Sequence, residues 1–157
     1  MFAKFTAIIQ NKFKYKIFLL QNLPLAFFVG LKIDSINETH AAVAVKMKWL
    51  NKNPFRSIYF AVLSMAAELS TGVLAFGNIY KRDVGVSMLV AKVEGEFYKK
   101  AVGKIVFTCV DGKLIEATIN KAIATGEGLT IICVSEGKNE AGDVVALFKF
   151  TWTFKRK

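Results

Sequence analysis

The chain has 157 residues, 54% of them hydrophobic, which suits one domain able to remove about two-thirds of its surface from water. That composition excludes a disordered chain, and two prolines with 11 glycines exclude collagen-like or linker sequence. Lys and Arg number 22 against 12 Asp and Glu; the net charge of +10 suits an anionic partner (nucleic acid, a lipid surface or a phosphorylated cofactor) or serves solubility alone.

At the start of the chain, Phe2, Phe5, Ile9, Phe13, Ile17 and Leu20 recur at spacings of three and four, which predicts one helical face over residues 2–20. Lys4, Lys12, Lys14 and Lys16 lie mostly off that face, and no acid occurs before Asp34. Such a basic, amphipathic helix lies on a membrane surface or packs on its own domain with its lysines in water. The second arrangement is the expectation, with residues 1–23 as a packed appendage and 24–157 as the main body of a single domain. Pro24 is expected to end the helical region. Residues 17–31 are rich in Phe and Leu, but Gln21, Asn22 and Pro24 leave them short of the ~20 apolar residues of a membrane span. The broken apolar run and the lack of a clean small-x-small site argue against a secretory signal, so a cytoplasmic location is expected.

Two strands are predicted next, over 29–36 and 41–47, the second with Val43, Val45 and Met47 on one face. Residues 49–56 form a loop marked by Asn53-Pro54. Residues 58–76 carry one ionisable side chain, Glu68, between Ser57 in an N-cap position and Gly77 beyond the end. The segment is apolar on nearly every side, so it is either buried all round or in a membrane. Small residues Ser64, Ser70, Thr71 and Gly72 let other backbone approach it closely. Strands follow over 84–98, with Gly95 as a bulge, and over 103–110. A short helix over 113–124 is capped by Asp111, and strands over 129–135 and 144–154 complete the chain. A sheet of about six antiparallel strands can wrap one buried helix, with two further helices outside.

Chemistry is sparse. The lone His40 excludes sites that need two histidines, and Cys109 and Cys133 lack metal-ligand spacing, so no metal is expected. Glu68 stands out, because a carboxylate inside an apolar helix is costly unless paired. Burial raises its pKa and suits it to proton transfer. Backbone N–H groups near residues 57–61 could receive a carbonyl oxygen as its charge grows. They lie about two and a half to three turns from Glu68, too far on one chain, whereas an antiparallel second copy could join them. The other reading is a Glu hydrogen-bonded at a dimer seam.

A strand pair, an Asn-Pro loop, a long helix with a mid-helix acid and a run of antiparallel strands resemble the α+β hotdog fold. In particular, the chain resembles the acyl-CoA thioesterase-like proteins of the phenylacetate-pathway type and their relatives of unknown function, from about Pro24 to Trp152. That family places an Asn in the loop, His-Gly-Gly at the helix start and an acid nine residues after the His. Asn53, Tyr59, Phe60-Ala61 and Glu68 stand at those positions here. The Asn and the acid match, whereas Tyr59 replaces the His and both glycines are replaced. Phe60 crowds the approach of a carbonyl, and the Tyr59 phenol can still donate a hydrogen bond.

The resemblance implies an acyl-CoA or acyl-carrier thioester as substrate, with Glu68, Tyr59 and Asn53 as catalytic candidates. Ser57, Phe60 and Ala61 would line the binding site, and Lys81, Arg82, Lys99 and Lys100 would meet coenzyme A phosphates. It also implies no cofactor beyond the coenzyme A of the substrate, and a homodimer whose pairs could form tetramers. A non-catalytic acyl-binding protein and a basic nucleic-acid or membrane-surface binder are the other classes. No nucleic-acid motif is present, so neither nucleic acid nor a membrane span is expected.

Overall fold

The computed structural model describes residues 2–157. The N-terminal helical region is not one helix. α1 (Phe2–Gln10) and α2 (Lys12–Asn22) are separated at Asn11, whose side chain accepts the N–H groups of Phe13 (3.1 Å) and Lys14 (3.0 Å). This N-cap restarts the helix in a new phase. α1 buries Phe5 and Ile9, but α2 buries Tyr15 and Leu19. The inward set has moved by two positions, about 200° round the helix. Phe13, Ile17 and Leu20, expected to continue the inner face, are therefore outside, at 72%, 40% and 49% exposure. Pro24 both ends α2 and opens α3 (Pro24–Val29), since its fixed φ and missing N–H suit the first helical turn.

The sheet has six strands: β1 (Lys32–Ile36), β2 (Ala41–Lys46), β3 (Val86–Phe97), β4 (Lys104–Cys109), β5 (Leu129–Lys138) and β6 (Val144–Arg156). Their spatial order is β1-β2-β4-β5-β6-β3, and every neighbouring pair is antiparallel. β1 and β3 are the edges. The β3–β6 register slips between Val90 and Lys92, so the bulge lies there and not at Gly95. Gly95 instead sits under the Phe148 ring, where a Cβ would come within 2.7 Å.

α4 (Phe60–Ile79) lies between β2 and β3 in the chain and rests on β2, β4, β5 and β6. It is long and apolar enough to cross a bilayer, yet Ala66, Ala67, Leu74 and Ala75 are wholly buried inside the protein. Two buried polar contacts key it to the sheet. Ser70 Oγ meets Ser135 Oγ of β5 at 2.8 Å, and Trp152 Nε1 of β6 donates to Thr71 Oγ1 at 2.9 Å. The helix starts at Phe60 with Tyr59 as its cap, because Ser57 is already engaged by Asn53. It runs through Gly77, where a Cβ would lie 2.7 Å from the Phe2 ring, so this glycine admits α1 and does not end the helix. α5 (Gly112–Thr125) packs on α4, β5 and β6. Asp111 stands at its cap position, but its carboxylate accepts from Val134 N–H at 2.8 Å and so ties the helix to β5.

Candidate functional site

The loop before α4 is held by Asn53. Its Oδ1 accepts from the N–H groups of Phe55 (3.0 Å) and Ser57 (3.2 Å), and its Nδ2 meets Ser57 Oγ at 3.0 Å. Asn53 thus builds the turn and is spent in doing so. Ile58 N–H bonds Ala101 O, and Tyr59 N–H bonds Asn51 O, which fixes the entry of the chain into the helix. Tyr59 O takes Val62 N–H at 2.9 Å. The N–H groups of Phe60 and Ala61 precede that first helical bond and have no partner within the helix. They occupy the place where an anion or a polarised carbonyl is favoured.

A cleft of about 450 Å³ opens at this end of α4. It gathers Asn53, Ser57, Tyr59 and Phe60 with Lys99 and Lys100, and adds Leu63, Phe97 and Tyr98, which the sequence pattern did not single out. Tyr59 and Phe60 are about half exposed and meet edge-on at 4.9 Å, and Phe97 stands 6.4 Å from Phe60. Lys99 pairs with Asp143 at 3.0 Å, and both side chains are about half exposed, so solvent weakens the pair.

Glu68 is not in this cleft. It sits ~12 Å further along the α4 axis and lines a second cavity of about 260 Å³. α1 and α2 cover this cavity with Phe5, Phe18 and Asn22, while α4 supplies Leu69, Gly72, Val73 and Phe76, and β3 supplies Met88. Its wall carries no Lys or Arg among the described residues. The carboxyl group lies over Gly72, where a Cβ would be 2.8 Å from Oε1. Burial with no compensating cation pushes the Glu68 carboxyl up to about 7. Lys81 and Arg82 are elsewhere again, past the C-terminal end of α4, with Lys81 over the Tyr80 ring. One copy of the chain therefore brings together the loop, the helix start and two lysines, and leaves Glu68, Lys81 and Arg82 apart from them. The cysteines offer no nucleophile, since burial pushes the Cys109 thiol up to about 12 and raises Cys133 as well.

A six-stranded antiparallel sheet in this order, holding one long helix with a lone acid at its middle, defines the hotdog class. The family described as "Domain of unknown function (DUF4442)" matches residues 13–154, and the chain belongs to it. Solved structures agree on the fold. PA5026 of Pseudomonas aeruginosa, described as a probable thioesterase, is 19% identical with a TM-score of 0.78 over 92% of this chain and 95% of that one. PaaI of Escherichia coli, from the phenylacetic acid degradation operon, is 17% identical with a TM-score of 0.64 over 90% and 89%. The thioesterase HI1161 of Haemophilus influenzae is 12% identical with a TM-score of 0.64 over 88% and 86%. A comparison with the curated proteins finds no match.

Proposed function

We propose that this protein hydrolyses acyl thioesters, with Glu68 as the general base. The observation that carries the reading is a desolvated carboxyl, pushed up to about 7, on the wall of an apolar cavity. In this scheme Glu68 takes a proton from water as the water oxygen bonds to the thioester carbonyl carbon. The charge growing on the carbonyl oxygen is received by the N–H groups of Phe60 and Ala61, aided by the Tyr59 phenol. The C–S bond then breaks, and the proton held by Glu68 passes to the leaving sulfur. Asn53 acts as a positioning residue through the 53–57 turn, Ser57 lines the mouth, and Lys99 and Lys100 meet the phosphates of coenzyme A or of an acyl carrier.

This reading requires two copies, because Glu68 and the helix start are ~12 Å apart along one helix. Support for a homodimer comes from β3, an edge strand with Leu89, Val93 and Phe97 exposed at 64%, 51% and 48%. An antiparallel second copy would bring its Glu68 toward the first copy's helix start. The test is purified protein against short, long and aromatic acyl-CoAs, reading free thiol and melting temperature together. Thiol release that Glu68→Gln lowers at least about a hundredfold, with the fold intact, is the expected result. Turnover by that variant at the parental rate overturns the assigned role. Thermal stabilisation by acyl-CoA without thiol release identifies a binding protein instead, in keeping with Tyr59 and Phe60 standing where the thioesterases carry His and Gly.

A further inference from the structure

The restart at Asn11 gives α2 apolar side chains on two opposite faces. Tyr15, Phe18 and Leu19 point into the protein. Phe13, Ile17 and Leu20 point roughly half a turn away from them, into solvent. The exposed set continues along the chain through Leu23 to Leu25 and Phe28 of α3, at 40%, 63% and 59% exposure. Exposed apolar residues in a contiguous run mark an interaction surface, whereas scattered ones do not. The charges decide what kind. Lys12 and Lys16 border the α2 stripe on one side and Lys14 on the other, all exposed, and the first 33 residues contain five lysines and no acid.

We infer that this α2–α3 surface docks the protein on an anionic lipid bilayer, with Phe13, Ile17, Leu20, Leu25 and Phe28 entering the interface and Lys12, Lys14 and Lys16 meeting headgroup phosphates. The arrangement has the three parts such docking needs: aromatic and branched side chains at helical spacing, flanking lysines whose stems can extend to the headgroups, and no acid to repel them. A second copy fits the surface poorly. A two-fold pair through the stripe would set each lysine row against a row of the same sign. Docking also gives the Glu68 cavity a position. Phe18, Asn22 and Leu23 line that cavity, and Leu23 belongs to the exposed run as well, so the α2 wall of the cavity would lie beside the acyl chains. Binding to lipid does not depend on thioester chemistry and is read without any turnover.

The experiment is co-sedimentation of the full chain with vesicles of phosphatidylcholine alone or mixed with phosphatidylglycerol, at low and high salt. Three surface lysines predict roughly a hundredfold tighter binding to the anionic vesicles, largely lost at high salt. The variant Phe13→Ser/Ile17→Ser/Leu20→Ser should weaken it at least roughly tenfold while circular dichroism shows the fold retained and the melting temperature falls only slightly, because Phe13 is mostly exposed and Ile17 and Leu20 are about half exposed. Equal binding to both vesicle types, no binding to either, or full binding by the triple variant overturns the inference. So does a triple variant that changes from dimer to monomer in sedimentation, which would assign the stripe to a second copy.

Discussion

The two ends of the Glu68 question lie on one helix and differ in almost every physical respect. The start of α4 is wet, half-covered by Tyr59 and Phe60, and rich in backbone donors with lysines nearby. The middle is mostly apolar, covered by α1 and α2, and holds a largely buried carboxyl with no cation on the wall beside it. A helix supplies free donors only at its first turn, and burial can raise a carboxyl pKa only where a roof excludes water. The two requirements therefore cannot be met at the same position of one helix. In the proposed thioester chemistry, the helix start that meets Glu68 would be that of a second copy of the chain.

The sharpest way to break this contrast is Glu68→Gln, which should lower thioester turnover at least about a hundredfold while an acyl-CoA still shifts the melting temperature. Removing the roof comes next. Phe5→Ala deletes a side chain that is 1% exposed against Phe18, Phe76 and Tyr80, and should cost about 3–5 kcal/mol in denaturant unfolding. Water admitted there should return the Glu68 carboxyl toward its ordinary value, moving the rising limb of the pH–rate profile to lower pH, while the cleft around Asn53 is unchanged.

A carboxyl whose folded pKa lies above its unfolded one holds more protons in the folded state, so it leaves the fold most stable below about pH 4.5 and costs progressively more up to about 7. Above that, the penalty is on the order of 3 kcal/mol. Glu68→Gln should accordingly raise the melting temperature at pH 8 and change it little at pH 4, and equal shifts at both values would break the account. The smallest effect belongs to the other end of the helix. Asn53→Ala removes the acceptor of the Phe55 and Ser57 N–H groups and should cost about 1 kcal/mol, with KM for the thioester rising more than kcat falls.

Much of the fold can be read from periodicity. The strands β4, β5 and β6 alternate because one face packs on α4, and α4 itself is legible because a 19-residue run with one charge has few ways to stay in water. Glu68 is conspicuous for the same reason. Phe13, Ile17 and Leu20 were misleading because their spacing continues that of Phe5 and Ile9, and only the capping by Asn11 shows that the helix restarts between them. Gly77 and Gly95 look like an end and a bulge in sequence, whereas each makes room for a phenylalanine ring from elsewhere in the chain. The division of the site into two cavities depends on where α1 and α2 settle, a long-range contact that local spacing does not encode.

The 12 residues of β3 pair with β6 on one side only, and the other side presents backbone donors and acceptors with Leu89, Val93 and Phe97 nearby. A strand edge of that length is a template for aggregation unless it is covered or guarded. The Lys92–Glu94 pair and Glu96 place charge in the middle of it, the kind of residue that guards such an edge against mispairing. Replacing Lys92 and Glu94 by Val would therefore show first as loss of soluble yield, before any change in chemistry.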